Sequence, residues 1–497
     1  MIIEEFRDYI KDECTDEHGN ISKPYYEIDP VNWSRLKEKY DKEDIKETLA
    51  EILMQYDPPY MKIDEEDAIN DFDALLHEFS YAKQFEHKNT KIEVKLDKFL
   101  DFSKTKEIDE KSVVPDPDYD QSYLEKPTFK ERHEKTKIKK IKRRLDSLFV
   151  NTPWFARSEY SDEFPLSDRI LKRNNTGNKA SNYYQQENRW SVDGSVSPGP
   201  LRTWSNKDFM TSLMGSLFTL KAEKVDKSTL RTSIGLRKYI CSQFRPSVAK
   251  QIYDSYLSSL EPKFSDNLDD VKTVLDFSMG WGDRLCGFYA SNATKYIGID
   301  PRKENHPIYE EQAEVYQNLY DKYREKLNYS PLKKETHFIE SPAEDADLSN
   351  VKIEVNGKKV GITENGGQVD LIFTSPPYFS VERYSYDDTQ SWVRHKNIDR
   401  WNEDFLHKAL NNVLTTLKKG GLLMVNISDV NASSQGTKGG KQWLKICDPM
   451  NEYLKSRGDM KYVECFGMEM AKRPNCLGIG TAEDIDESNM DAEYHER

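Results

Sequence analysis

Five short apolar runs, spaced by helical stretches, occupy the second half of the chain and leave few folds open to it. They are Val274-Leu275-Asp276-Phe277, Tyr296-Ile297-Gly298-Ile299-Asp300, His337-Phe338-Ile339-Glu340, Val369-Asp370-Leu371-Ile372-Phe373 and Leu422-Leu423-Met424-Val425-Asn426-Ile427. The fifth is entered through Lys418-Lys419-Gly420-Gly421. Runs this short and this apolar read as buried strands, and stretches such as Glu403 to Leu417 supply helices between them. Alternation of that kind predicts an α/β fold with a doubly wound sheet. Tyr462 to Met470 can supply the last strands, and no internal repeat is present.

With 497 residues the chain exceeds one ordinary core, and its composition shifts suggest four zones. Residues 1–120 read as an acidic, mainly helical domain, broken at Asp57-Pro58-Pro59 and Pro115-Asp116-Pro117. Phe72, Leu75, Leu76, Phe79 and Phe85 share one helical face there, which suits a small domain or a protein partner. Residues 121–240 open with a basic helix, Lys135 to Arg144, that carries seven basic residues in ten. Lys139, Lys140 and Arg143 are its candidates for phosphate contact, the alternative being a solvated helix face. A polar, loop-like stretch follows from Arg173 to Pro200, with turn signals at Asn174-Asn175-Thr176-Gly177 and Ser197-Pro198-Gly199-Pro200. The strand–helix alternation fills residues 241–475, and residues 476–497 form an acidic tail.

The net charge of −14 argues against a nucleic-acid partner, yet charge this segregated along a chain leaves basic segments free to meet one. Six scattered cysteines with no C-x-x-C pair and no histidine at zinc spacing point to reduced thiols in a cytoplasmic setting, with no metal. No run of about 18 apolar residues is present to span a bilayer.

Asp276-Phe277-Ser278-Met279-Gly280-Trp281-Gly282 follows the first strand and leads into an apolar helix, Leu285 to Ala290. Its two glycines let the backbone turn tightly and approach a ligand where a Cβ would clash. Asp300 lies 24 residues beyond Asp276, at the end of the next strand, where a carboxylate can accept both hydroxyls of a ribose. The absence of a third glycine disfavours a pyrophosphate, so a nucleoside ligand without phosphates fits better.

Thr374-Ser375-Pro376-Pro377-Tyr378 closes the fourth strand, at the carboxyl edge where open α/β sheets bind ligands. An exocyclic amine on a nucleobase is a poor nucleophile because its lone pair is delocalised into the ring. The Ser375 oxygen and the Pro376 carbonyl can accept its two N–H bonds and draw the nitrogen toward tetrahedral geometry. Prolines lack N–H donors and stiffen the turn. Tyr378 can stack on a base that has left the duplex.

At these residues the sequence resembles the DNA amino-methyltransferases, which act on cytosine-N4 or adenine-N6. Asp276 to Gly282 looks like the cofactor motif of that family, and Thr374 to Tyr378 matches its catalytic motif. Phe244-Arg245-Pro246-Ser247-Val248-Ala249-Lys250 resembles the segment that contacts the methionine end of the cofactor, and Ser341-Pro342-Ala343-Glu344-Asp345 sits where the family contacts the adenine ring. The resemblance covers about residues 240–470. It implies a doubly wound Rossmann-like methyltransferase sheet with a mainly helical N-terminal region, and S-adenosyl-L-methionine as cofactor. The cofactor-binding residues it implies are Asp276, Phe277, Ser278, Gly280, Gly282, Asp300, Glu344, Arg245, Pro246 and Thr374. Ser375, Pro376, Pro377 and Tyr378 are the implied catalytic residues, and DNA the substrate.

Serine before Pro-Pro is typical of the cytosine-N4 enzymes, and Asp or Asn of the adenine-N6 enzymes, so cytosine is the expected target. Relatives with this motif order usually carry target recognition after the catalytic half, whereas the residues following Met470 here are few and acidic. Target reading is therefore expected from residues 1–240, from Phe379 to Arg400, or from a partner. Arg383, Tyr384 and Arg394 are the candidates in that loop, set against a surface lid with ordinary aromatic packing. Adenine or RNA as substrate stays open, as does a catalytically silent binding protein whose acidic N-terminal region recruits a partner. The Lys, Asn, Asp and Tyr content hints at an AT-rich genome such as that of a phage, while restriction–modification, viral genome marking and regulation all stay open.

Overall fold

Aspartates open the first three helices. Asp29, Asp41 and Asp64 accept backbone N–H groups at the starts of α1 (Pro30–Lys39), α2 (Lys42–Leu53) and α3 (Glu65–His77). In this computed structural model the described residues are 27–78, 166–171, 174–195, 197–257, 272–432, 434, 442–463 and 465–468. The stretch expected to be a loop between Arg173 and Pro200 instead contains α4 (Asn178–Trp190). Its inward face is mostly polar, with Ser181, Gln185 and Arg189 buried beside Ala180 and Trp190, so hydrophobic periodicity gave little sign of a helix. Arg189 Nη2 donates to Asp283 Oδ1 at 2.7 Å, and the Ser181 hydroxyl donates to the same oxygen.

Helices α1 and α2 share a core with α5 (Lys207–Thr219) and α6 (Lys227–Arg237). Trp33, Ile45, Leu49, Leu213, Leu217 and Leu230 are buried in it. Trp33 Nε1 donates to the Ala222 carbonyl at 2.8 Å, and Trp204 Nε1 to that of Tyr56 at 2.8 Å. Elements from both sides of residue 120 thus build one helical layer.

Five strands form the central sheet: β1 (Thr273–Asp276), β2 (Lys295–Asp300), β3 (Glu335–Glu340), β4 (Val369–Thr374) and β5 (Leu417–Val425). The order is β5-β4-β1-β2-β3, with all pairs parallel. Side chains alternate between faces along a strand. Val274, Tyr296 and Leu371 therefore enter one core and Leu275, Ile297 and Ile372 the other. The first core is closed by α7 (Pro246–Leu257), α8 (Asp283–Tyr289) and α9 (His306–Lys326), the second by residues 398–414. Helix α3 joins the first core, since Phe72 stacks on Tyr316 of α9 with centroids 4.5 Å apart. Its Leu75 and Leu76 face belongs to this core and not to the α1–α2 layer, while Phe79 and Phe85 lie outside the described residues.

The sheet grows outward from β1 in both directions, so the crossovers part between β1 and β4 and leave a crevice at their carboxyl ends. Asp276 pairs with Gly298, Asp300 with Glu340, and Thr374 with Val425, which brings the two acids and the catalytic segment to one edge. Between β3 and β4 stands a hairpin, Lys352–Val355 with Lys358–Gly361, turning on Asn356 (φ 50°) and Gly357 (φ 73°). Cys465–Met468, within the stretch expected to finish the sheet, pairs in parallel with Leu166–Leu171 in a separate two-stranded sheet. Among the described residues four cysteines are free, no group of metal ligands assembles, and no helix is long and apolar enough to cross a membrane.

Candidate active site

Asp276 ends β1 with its side chain fully buried. Arg284, the second residue of α8, donates Nε to Asp276 Oδ2 at 2.7 Å and Nη2 to Oδ1 at 3.2 Å. Tyr296 donates its hydroxyl to Oδ2 at 2.7 Å, and Thr374 donates Oγ1–H to Oδ1 at 2.8 Å. Arg284 also donates to the Ser278 carbonyl of the glycine loop, and its guanidinium lies 5.2 Å from the Phe244 ring centroid. A buried carboxylate with a buried guanidinium thus joins the glycine loop to Thr374 at the root of the catalytic loop. Arg284 was not among the residues expected to act here; its signal was an arginine beside Asp283, just ahead of the apolar stretch Leu285 to Ala290.

Gly280 (φ +59°) and Gly282 (φ +76°) both require the left-handed region that favours glycine. They differ in their surroundings. A Cβ on Gly282 would come within 2.2 Å of Gln312 Oε1, whereas one on Gly280 would meet nothing nearer than the Ser278 carbonyl at 3.8 Å. Gly280 therefore presents an open backbone face. Beside it, Asp300 Oδ2 accepts the Gly280 N–H at 2.8 Å and Oδ1 accepts the Arg302 N–H at 2.9 Å. Burial lifts the Asp300 carboxyl from 3.8 to about 6, against the pull of those two backbone donors. Each Asp300 oxygen retains a second lone pair. An open glycine face next to such an acid fits the ribose of a nucleoside cofactor.

The other expected cofactor residues are spread around this point. Phe277 packs its side chain into the second sheet core. Ser278 offers loop backbone, with its carbonyl held by Arg284. Pro246 is the buried first residue of α7, and the neighbouring Arg245 donates Nε to Asn175 Oδ1 at 3.3 Å. Glu344, just past β3, accepts from Arg394 Nη1 at 2.6 Å through one oxygen, while the other is buried without a partner. Burial raises its carboxyl above the ordinary range.

At the end of β4, Ser375 is half-buried and Pro376 buried. Asn426, one residue past β5, donates Nδ2–H to Ser375 Oγ at 3.0 Å and to the Tyr378 hydroxyl oxygen at 3.1 Å. Tyr378 donates its hydroxyl to the Asn426 carbonyl at 3.2 Å, and burial pushes that phenol up to about 12, so it stays neutral. Asn426 is a second residue that the sequence reading passed over, visible only as a polar residue in the apolar run Leu422 to Ile427.

The loop expected to meet nucleic acid is engaged within the chain. Glu382 and Arg383 pair with Gly194 and Asp193. The Arg383 guanidinium lies 5.1 Å from the Trp392 ring centroid, and the Tyr384 ring packs 6.0 Å from Trp281 of the glycine loop. Arg394 holds Glu344 and also reaches Asp345 Oδ2 at 2.8 Å. These contacts make the segment a strap over the glycine loop. Lys139, Lys140 and Arg143, like the acidic tail 476–497, lie outside the described residues.

No curated protein matches the chain. Residues 369–475 match the DNA methylase family model, N6_N4_Mtase. That match runs from the start of β4 and takes in both the Ser375–Tyr378 loop and Asn426. Over this segment the chain is similar to the DNA methylases.

Proposed function

We propose that the chain methylates the exocyclic N4 amine of a cytosine flipped out of DNA, using S-adenosyl-L-methionine on a Rossmann-like methyltransferase sheet in the cytoplasm. The observation that carries this reading is the uncharged Ser375 hydroxyl, fixed by Asn426 beside the Pro376 carbonyl at the carboxyl edge of β4. When bound, the cofactor supplies an electrophilic methyl group on a sulfonium. Gly280 and Asp300 receive its nucleoside part, the glycine by close backbone approach and the acid through the ribose hydroxyls. Ser375 Oγ and the Pro376 carbonyl each accept one N–H of the target amine and turn its lone pair away from the ring. The new C–N bond would form as the S–CH3 bond of the sulfonium breaks to leave a neutral thioether, and the amine gives up one proton, which passes to solvent because Ser375 carries no carboxylate to keep it. The Tyr378 ring lines the site where the extruded base stacks.

The test is incubation with methyl-labelled cofactor and DNA, RNA or free nucleotides, followed by digestion to nucleosides. Label on cytosine-N4 of DNA is expected. Label on adenine-N6 or in RNA would replace the substrate assignment, and no transfer with no cofactor binding would make the chain a binding protein. Ser375→Ala is expected to abolish transfer and leave cofactor affinity unchanged.

A further inference from the structure

We propose that Asn426 is the positioning residue of the catalytic loop, holding Ser375 as a hydrogen-bond acceptor for the target amine; this rests on the reading of Ser375 given above. Asn426 extends the β5–β4 ladder by one step, its backbone N–H donating to the Thr374 carbonyl at 2.9 Å. Its backbone is thereby tied to the residue before Ser375. A primary amide carries two N–H donors, and here both are used, one on Ser375 Oγ at 3.0 Å and one on the Tyr378 hydroxyl oxygen at 3.1 Å. The Asn426 carbonyl takes the Tyr378 proton in return at 3.2 Å. The two hydroxyl oxygens stand 3.5 Å apart, too far for a strong direct bond, so the amide is what links them.

The consequence for Ser375 is geometric. A serine hydroxyl has two lone pairs and free rotation about its Cα–Cβ bond. The Asn426 N–H occupies one lone pair and stops that rotation, leaving the second to receive the target amine. Without the amide, Ser375 turns freely and the tetrahedral geometry it imposes on the amine is lost. Tyr378 would still bond to the carbonyl of residue 426, so the loop itself stays folded. Asn426 need not touch the base; it acts through Ser375.

Two variants test this in the full chain. Asn426→Ala removes both donors, and Asn426→Asp keeps the shape while replacing the amide with a carboxylate that donates neither bond. Single-turnover methyl transfer to DNA should fall about 100-fold in each, the size of effect that an ångström-scale misplacement produces. Calorimetric cofactor affinity, KM for DNA and the melting temperature should stay as in wild type. Tyr378→Phe keeps the bond from Asn426 to Ser375 and should lose much less rate. Wild-type rates in the Asn426 variants would overturn the inference, as would a rate loss matched by an equal loss of cofactor affinity or melting temperature. A wild-type chain that transfers no methyl group would instead overturn the reading of Ser375, and this inference with it.

Discussion

On the proposed role of Asp300 at the ribose, its raised carboxyl should make cofactor binding depend on pH in a defined direction. Burial places this group near 6, well above its ordinary 3.8. Ribose hydroxyls donate, so they favour the ionised form. A cofactor that needs the carboxylate must therefore compete with a proton below about pH 6. With a free-protein value of about 6, some ten in eleven molecules are protonated at pH 5, and the apparent affinity there should be about 10-fold weaker than at pH 7 or above. The sign for folding follows from the same shift. The folded state holds its proton through a range where the unfolded chain has lost it, so this contribution to stability is complete below the ordinary value and is lost as pH rises through 6. That loss amounts to about 3 kcal/mol when complete, at 1.36 kcal/mol per unit. Titration calorimetry with S-adenosylhomocysteine between pH 5 and 7.5, in buffers of different ionisation enthalpy, reads both the affinity and the proton released near pH 6. Asp300→Asn should bind more weakly and show neither the slope nor the release. A flat wild-type affinity across that range, or the same slope in Asp300→Asn, would refute the assignment of Asp300 to the ribose.

Three further outcomes are expected. Arg284→Met strands the buried Asp276 carboxylate and should cost about 3–5 kcal/mol of stability, read as a lower melting temperature. Phe72→Ala should cost about 3–5 kcal/mol if α3 is part of the methyltransferase core, a loss that denaturant unfolding followed by near-ultraviolet dichroism would measure. Gly282→Ala, driven into Gln312, should mainly destabilise the chain. Gly280→Ala, facing open space, should lose cofactor affinity out of proportion to its melting shift, which comparing calorimetry with thermal melts will show.

Much of the central sheet could be read from the sequence because its strands are buried on both faces and appear as plain apolar runs. All five are present within a few residues of where those runs stand. What the runs could not show was anything built from polar residues facing inward. Helix α4 buries Ser181, Gln185 and Arg189, so its inner face looked like a loop. The hairpin at Asn356-Gly357 did carry a signal, the dipeptide that favours a tight type I′ turn, within a stretch expected to be helical. The strap from Glu382 to Arg394 had the arginines and aromatics of a nucleic-acid surface. The same side chains serve equally to bind Trp392, Trp281 and Glu344, and composition does not separate the two uses.

The same ambiguity explains Asp276. An acid at the end of the first strand of an α/β sheet can hold a ligand or hold the loops that hold a ligand, and both uses call for a carboxylate at that spot. What separates them is the company it keeps. Among the described residues Asp300 accepts two backbone N–H groups, and burial lifts it to about 6, which leaves capacity for hydroxyl groups. Asp276 meets a guanidinium, a phenol and a threonine hydroxyl, and its oxygens are committed to all three. The residue that decides the matter, Arg284, lies eight positions further on, beside Asp283 at the start of the helix after the glycine loop. A buried arginine has to be neutralised by something. Its two bonds to Asp276 therefore mark the first acid as the joint between the loops. The proposed nucleoside role then rests on the second acid, Asp300.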